Sequence, residues 1–348
     1  MAALLEVADL RVSFRTEGGV LRAVDGVSFS VNAGQIVAVV GESGSGKSVM
    51  AMTLLGLTRG ANATISGTAR FGDLELVGAT EDELRTVRGA RIAMIFQNPM
   101  TALNPVQRIG KQIAEQIRAH EPASRAAARA RAVELLTRVG IPQAATRVNA
   151  FPHELSGGMR QRAMIALALS CGPRLLIADE PTTALDVTIQ AQILAEIEDL
   201  REEMGVAVVF ITHDLGVVSQ LADQVLVMYG GRIVEDAPVD ALFDHPQHPY
   251  AWGLLGSAPS AARARGNRLP TIPGSPPSLL HPPAGCHFAP RCPHTIAACA
   301  EMPALESRLP EQPRHLDRCW LPAADKQRLR MVNGEIGLAG PESEEEIR

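Results

Sequence analysis

The sequence has few aromatic residues and no long apolar run. Phenylalanine, tryptophan and tyrosine together make up 3% of its 348 residues. No apolar stretch approaches the roughly 18 residues of a membrane-spanning helix, so we predict no membrane span. Residues 1–6 lack the basic segment and the cleavage site of a signal peptide, and we therefore expect a protein that stays in the cytoplasm.

An excess of positive charge is also absent. The chain carries 33 lysine and arginine residues against 38 aspartate and glutamate residues, and its net charge is −5. This balance argues against a general nucleic-acid-binding protein, and we predict no nucleic-acid partner. Hydrophobic residues make up 46% of the chain, with 30 glycines. The composition favours an α/β architecture with two domains, or with one large domain and an appendage.

Residues 41–48, with the sequence GESGSGKS, match the phosphate-binding loop of nucleoside triphosphatases. An apolar run at 36–40 predicts a buried parallel strand before the loop, and 49–55 has the composition of a packed helix. Glycines let the backbone curl so that its N–H groups point at phosphates. We expect Lys47 to reach the β- and γ-phosphates of ATP, and the Ser48 hydroxyl to bind Mg²⁺. The predicted ATP contacts of the loop are Gly41, Ser43, Gly44, Ser45, Gly46, Lys47 and Ser48.

An antiparallel β-hairpin is predicted over residues 5–31. Apolar residues alternate with polar ones on both sides of Gly18 and Gly19, which indicates two strands with one solvated face. Such a layer can carry an aromatic side chain that stacks on adenine, and Phe14 is the candidate. An ordinary core position for Phe14 is an equally good interpretation.

Two carboxylates end the short buried strand predicted at 175–178. We predict that Asp179 holds Mg²⁺ and that Glu180 polarises the water that attacks the γ-phosphate. Adjacent like charges cost free energy unless a cation lies nearby, which favours the metal interpretation.

Polar residues also end the apolar strands predicted at 93–96 and 206–212. Proteins of the α/β class place ligand contacts at the C-terminal ends of central strands. Gln97 is therefore a candidate contact to Mg²⁺ or to the attacking water, and His213 is a candidate donor to the γ-phosphate. Taken alone, a single glutamine means little, whereas the strand-edge position favours the ligand role of His213 over a core role.

Residues 107–140 are predicted to be helical, because isoleucines recur at four-residue spacing and 124–139 is rich in alanine and arginine. The sequence LSGGM at 155–159 begins another helix, which we expect to run to Cys171. Ser156 suits an N-cap, and Gly157 and Gly158 leave backbone N–H groups open to a phosphate of another molecule. By itself, this motif could also be a mere helix start.

In this order the motifs resemble the full set of ATP-binding-cassette (ABC) ATPases, over roughly residues 5–240. The resemblance implies an α/β, P-loop NTPase (RecA-like) core with an antiparallel β layer. We assign residues 1–240 to this nucleotide-binding domain, with a helical subdomain at about 98–172. It also implies that two cassettes sandwich two ATP molecules, so that Ser156, Gly157 and Gly158 complete a γ-phosphate site in the partner. The matching motifs are the Walker A loop at 41–48, the Q-loop at Gln97, the signature at 155–159, the Walker B strand at 175–180, the D-loop at 184–186 with Asp186, and the H-loop at His213.

Residues 41–48, 96–105 and 248–250 look most like the ATPase subunits of oligopeptide and dipeptide importers. Such a subunit hydrolyses ATP at the cytoplasmic face of the membrane. It works with two transmembrane permeases, indirectly with an extracytoplasmic substrate-binding protein, and commonly with a second, different ATPase subunit. Met159 departs from the usual glutamine, which is typical of one arm of such a heterodimer. The alternative hypothesis is a subunit that powers the uptake of nickel or another small solute. An ABC ATPase without a transport role is the less favoured alternative.

Four of the five cysteines follow residue 240, in a proline-rich stretch that we predict to be an irregular appended domain at 241–325. Thiols concentrated in a small module suggest a bound metal, but the C-x₂-C pairs typical of zinc are absent. A four-cysteine iron–sulfur site accepts irregular spacing, and the resemblance to importer subunits favours a [4Fe-4S] cluster, with zinc second and free thiols third. We expect residues 326–348 to be a flexible tail. The proposed ligands are Cys286, Cys292, Cys299 and Cys319.

Overall fold

The computed structural model describes residues 3–181, 187–257, 271–332 and 335–338. Its strands are β1 (Leu5–Thr16), β2 (Gly19–Val31), β3 (Ile36–Val40), β4 (Ala63–Phe71), β5 (Leu74–Glu75), β6 (Ile92–Ile95), β7 (Leu175–Asp179), β8 (Ala207–Ile211), β9 (Gln224–Tyr229), β10 (Arg232–Pro238), β11 (Leu316–Asp317), β12 (Met331–Val332) and β13 (Glu335–Ile336). Its helices are α1 (Lys47–Leu54), α2 (Glu81–Val87), α3 (Pro99–Ala102), α4 (Ile109–His120), α5 (Arg125–Arg138), α6 (Ala144–Arg147), α7 (Gly157–Ala168), α8 (Val187–Met204), α9 (Leu215–Leu221), α10 (Val239–Asp244), α11 (Pro249–Ser257) and α12 (Ala323–Leu329). Within these described ranges, no helix combines the length and the apolar character that crossing a bilayer requires.

A seven-stranded sheet lies at the centre, in the order β11-β10-β9-β3-β8-β7-β6. The five strands from β9 to β6 are parallel, and β10 and β11 are antiparallel additions at one end. Every residue of β3, β7 and β8 is buried, because both faces of the sheet are covered. This double burial explains why the sequence shows continuous apolar runs there rather than alternation.

The second sheet is antiparallel, in the order β2-β1-β4-β5, and it confirms the predicted hairpin. Its apolar face joins a core formed with α1, α2 and one face of the central sheet. The other face of the central sheet packs against α4, α5, α7 and α8. Successive residues of β3 point to opposite faces of the sheet: Val37 and Val39 join the first of these cores, Ile36 joins the second, and Ala38 and Val40 join a third.

The stretch predicted to be helical, 107–140, contains two helices, α4 and α5. Ile109, Ile113 and Ile117 form the buried face of α4, as their spacing indicates. The chain then leaves the helix at Glu121, because Pro122 disfavours helical geometry in the residue before it. Ser124 starts α5 by accepting a hydrogen bond from the backbone N–H of Ala127. Helix α7 ends at Ala168, three residues before the predicted end.

The C-terminal region is less irregular than the sequence predicts. Helices α10 and α11 follow β10 directly, and β11 pairs with β10 as the last strand of the central sheet. A third core joins Tyr250, Trp252 and Phe288 to residues of β3 and β9. Between 271 and 315 the described elements are only short 3₁₀ turns, as the proline content predicts.

The predicted start of the flexible tail, residue 326, does not coincide with the end of the last helix. Its first residue, Lys326, lies inside α12 and is fully buried. The Lys326 ammonium is 2.6 and 2.8 Å from the two carboxylate oxygens of Asp317 in β11. This ion pair fastens α12 to the edge of the central sheet, and the described residues after it include β12 and β13.

One buried carboxyl makes stability depend on pH. Burial raises the pKa of Asp236, in β10, from its ordinary 3.8 to about 6, although the hydrogen bond from Gln224 and the nearby His315 oppose the shift. Because the fold favours the protonated form, this carboxyl contributes stability below about pH 4 that is lost as the pH rises through about 6. We expect Asp236→Asn to raise the free energy of unfolding at pH 7.5 by about 2–3 kcal/mol and to change it little at pH 4.

Urea unfolding of the purified chain between pH 4 and 8 measures this difference. The exposed Asp240 in the adjoining helix α10 provides the control variant Asp240→Asn. For this variant we expect the free energy of unfolding to depend on pH as it does in the parental chain. An Asp236→Asn variant that keeps the parental pH dependence would contradict the assignment.

Candidate ATP-hydrolysis site

The phosphate-binding loop connects β3 to α1, as predicted. Two of its glycines are required by close backbone approaches: a Cβ at Gly41 would overlap the Met228 carbonyl oxygen, and one at Gly46 would overlap the Ala23 carbonyl oxygen. Both also have positive φ, 150° and 102°. These two glycines therefore let the loop pack directly against neighbouring backbone.

Lys47 lies over this loop. Its ammonium donates hydrogen bonds to the carbonyl oxygens of Gly41, at 2.7 Å, and Glu42, at 2.9 Å. Burial lowers the pKa of Lys47, and the negative charges of Glu180 and Asp179 partly counteract this effect. The ammonium is thus held at the mouth of the loop, where the motif requires it to meet phosphate oxygens.

Ser48 and Asp179 form an oxygen pair beside the loop. The Ser48 hydroxyl donates to a carboxylate oxygen of Asp179 at 3.1 Å. Burial raises the pKa of Asp179, and the neighbouring charge of Glu180 adds to the shift. Hard oxygen ligands and uncompensated negative charge are what Mg²⁺ requires, so these residues fit the predicted magnesium site.

Glu180 stands at the end of β7, between two other predicted residues. The side-chain amide of Gln97 donates to one carboxylate oxygen at 2.8 Å, and His213 Nδ1 lies 3.5 Å from the other. The three side chains meet because β6, β7 and β8 are adjacent parallel strands that end at one edge of the sheet. Glu180 also has a left-handed φ of 48°, an unfavourable conformation for a non-glycine residue of the kind that clusters at functional sites.

The signature residues begin α7. The Ser156 hydroxyl accepts a hydrogen bond from the backbone N–H of Met159, which confirms the predicted N-cap. Apart from its chain neighbours and the backbone of its own helix, no heavy atom of the described residues lies within 4 Å of the position that a Cβ on Gly157 would take. The helix start is therefore open on that side. Asp186 lies outside the described residues, and its predicted contact with ATP stays a prediction.

Phe14 lies on β1, half-buried against the core beneath the antiparallel sheet. This position suits a core role, and adenine stacking stays a prediction. Glu42 makes two contacts with the C-terminal region, to Tyr250 and Arg291, that the sequence does not predict. Tyr250 lies within residues 248–250, which carry part of the resemblance, and no pattern in the sequence marks Arg291.

The four C-terminal cysteines do not form the predicted metal site in this structure. In the described parts of the chain, no three histidine, cysteine, aspartate or glutamate side chains are arranged to hold a metal ion. Cys286 and Cys299 are nevertheless joined by a backbone hydrogen bond of 3.0 Å. Burial raises the pKa of Cys292 to about 12, and the nearby Cys286 and Cys299 add to the shift.

Comparison with known proteins agrees with the geometry of the ATP site. Residues 24–183 match the family model described as ABC transporter. The dimeric ATP-binding cassette MJ0796, in a post-hydrolysis state bound to ADP and Pi, superposes with a TM-score of 0.62 at 26% identity, over 68% of this chain and 98% of that one. The chain belongs to the ABC transporter family, and it is an ATPase of that family.

A second family model places the chain more narrowly. Residues 234–299 match the C-terminal region of oligopeptide/dipeptide transporters. A Sinorhizobium fredii protein named as a probable peptide ABC transporter ATP-binding protein is 53% identical, over 91% of this chain and 94% of its own length. The oligopeptide transport ATP-binding protein OppD of Escherichia coli is 48% identical, over 93% of this chain and 94% of its own length. The chain is thus a member of the oligopeptide/dipeptide transporter group of these ATPases.

Proposed function

We propose that this chain powers the uptake of di- and oligopeptides through separate transmembrane permease subunits. The observation that carries the proposal is the joining, in one chain, of a cassette ATP site to the C-terminal region found in oligopeptide/dipeptide transporters. The OppD proteins of Bacillus subtilis and Escherichia coli, 53% and 48% identical, are named for oligopeptide transport. Uptake of nickel or another small solute, the alternative, would use the same ATP site.

In the proposed reaction, Glu180 is the general base that takes a proton from the attacking water. Gln97 and His213 hold its carboxylate from two sides, which fixes the direction of attack. Lys47 and N–H groups of the loop would bind the β- and γ-phosphates, and Ser48 and Asp179 would hold the metal. Bound Mg²⁺ supplies neutralisation of the charge that develops on the phosphate oxygens.

The complete site needs a second cassette. The open start of α7, at Ser156 and Gly157, provides backbone N–H groups for a phosphate that this chain's own loop does not hold. The structurally similar MJ0796 is described as dimeric in its complex with ADP and Pi. We infer a head-to-tail dimer, with a different ATPase chain as the partner because Met159 departs from the usual signature.

A surface groove provides a place for a permease. It has a volume of about 270 Å³ and lies between the end of α1, strand β6 and helix α7. Its lining is largely apolar and includes Leu57, Phe96 and Leu167. Leu57 is 47% exposed, so its side chain is available for contact with a partner. Docking of a permease helix here would hold the chain at the cytoplasmic face of the membrane. The extracytoplasmic binding protein would deliver the solute to the permease from the opposite side.

Leu57→Arg tests this surface. Because a charge in an apolar contact is desolvated without a partner, we expect co-purification with the permeases to fall at least about tenfold. ATP binding by the isolated chain is expected to remain. Val20, an exposed apolar residue on the hairpin, provides the control variant Val20→Arg. Normal recovery of the Leu57→Arg complex would exclude the groove as the docking site.

Uptake of a labelled tripeptide identifies the transported solute. The cells have their own copy of the gene deleted and express either the parental chain or a Lys47→Ala variant. Restoration by the parental chain only is the expected result. Restoration of ⁶³Ni uptake without peptide uptake would favour the nickel alternative. An active ATPase that co-purifies with no membrane subunit would favour a role outside transport.

The cysteine cluster is proposed as a [4Fe-4S] site, with zinc as the second candidate. The backbone hydrogen bond between Cys286 and Cys299 supports this proposal, as does the pKa of Cys286 and Cys292, which is raised by burial and also by neighbouring cysteines, because thiolates close together need a shared cation. Iron, sulfide and zinc analysis of the anaerobically purified chain, beside a Cys292→Ser variant, decides between the metals. A metal-free parental chain would contradict both.

A further inference from the structure

Glu42, the second residue of the phosphate-binding loop, is held from outside the cassette core. Its backbone N–H donates to the Tyr250 hydroxyl at 2.7 Å. Its carboxylate accepts two hydrogen bonds from the Arg291 guanidinium, at 2.7 and 3.1 Å, one to each oxygen. Its carbonyl oxygen accepts from Lys47. One residue thus connects the catalytic lysine to two side chains that lie more than 200 positions away.

Arg291 is built into this position. Its side chain is 5% exposed, and its Nε donates to the Pro273 carbonyl oxygen at 2.7 Å. The guanidinium also lies over the rings of Tyr229 and Phe288, at 5.8 and 6.0 Å from their centres. A bidentate arginine–carboxylate pair with a fixed arginine leaves the carboxylate little freedom.

A second link holds the other end of the loop. The backbone N–H of Gly231 donates to the Ser45 carbonyl oxygen at 3.0 Å. The adjoining Gly230 carbonyl oxygen is 2.8 Å from Nδ1 of His287, which belongs to the same C-terminal segment as Arg291. The C-terminal segment therefore supports the loop at both Glu42 and Ser45.

We propose that Arg291 and Tyr250 are positioning residues for ATP binding. They act through Glu42, and they hold the phosphate-binding loop in its binding conformation before the nucleotide arrives. Without this support, part of the free energy of ATP binding is used to order the loop, so the affinity for ATP falls. Once the phosphates are bound, their own contacts order the loop, and the chemical step is little changed.

The test compares KM and kcat for ATP in the purified membrane complex. Arg291→Lys keeps the charge but loses the paired geometry, and Tyr250→Phe removes only the hydroxyl. For each we expect the KM for ATP to rise about 5- to 10-fold, with kcat within about twofold of the parent. The exposed Arg314 provides the control variant Arg314→Lys.

A double-mutant cycle separates positioning from general stabilisation. Glu42→Gln alone, Arg291→Lys alone and the two together are expected to raise KM by similar factors, because all three break the same contact. Thermal unfolding of each variant checks that it is folded. An unchanged KM in folded variants, additive effects on KM, or a loss confined to kcat would overturn the proposal.

Discussion

Replacing Glu180 with glutamine is expected to lower the kcat for ATP hydrolysis by about 10²- to 10⁴-fold and to leave ATP binding intact. Glutamine has nearly the same shape and keeps a polar contact with Gln97, but it cannot accept the proton of the attacking water. The bound triphosphate then persists, and with it the closed pair of cassettes. Phosphate release, filter binding of ATP and the oligomeric state of the purified complex measure the three parts of this expectation.

The exposed Glu311 provides the matched control variant Glu311→Gln, which should hydrolyse ATP at the parental rate. Parental turnover in the Glu180→Gln variant would remove Glu180 from its role as base. Weak ATP binding in that variant would instead show that the carboxylate supports the loop rather than the reaction.

The Lys326→Met variant is expected to lose about 3–5 kcal/mol of unfolding free energy. Lys326 and Asp317 are fully buried, and removal of the lysine leaves the Asp317 carboxylate without its main counter-charge. The Cys319 backbone N–H, 3.1 Å from this carboxylate, and the Arg308 guanidinium, 3.6 Å from it, compensate only in part. Denaturant unfolding of the isolated chain, monitored in both the cassette and the C-terminal region, measures the loss.

The same helix provides the control. Arg328 and Asp325 form an exposed ion pair at 3.2 Å, and Arg328→Met should cost no more than about 0.5 kcal/mol. The double variant Asp317→Asn with Lys326→Met should recover part of the loss, because no uncompensated charge remains buried. A Lys326→Met variant as stable as the Arg328→Met control would mean that α12 is not fastened by this pair.

The parts of the site that the sequence predicts are those that follow from strand order. Gln97, Glu180 and His213 each end an apolar run, and parallel strands bring such ends together. The phosphate-binding loop is equally local, because its glycines, its lysine and its helix start are adjacent in sequence. The hairpin at 5–31 is predicted for the same reason.

The remainder depends on contacts that no local pattern encodes. Strand β11 has two residues, too few for alternation to show, and it joins the sheet 78 positions after β10 ends. Tyr250 and Trp252 belong to the third hydrophobic core, but they lie in a proline-rich stretch that predicts irregular structure. The bond between Arg291 and Glu42 spans 249 positions. Single charged residues at such separation carry no periodic signal.

The order of strands in the central sheet also constrains when the ATP site can first exist during synthesis. Strand β3 leaves the ribosome early, but its neighbours β8 and β9 are translated about 170 or more residues later. Asp179 follows Ser48 by 131 positions. A nascent cassette therefore has no completed magnesium site until more than half of the chain has emerged, and until then β3 lacks both of its neighbouring strands.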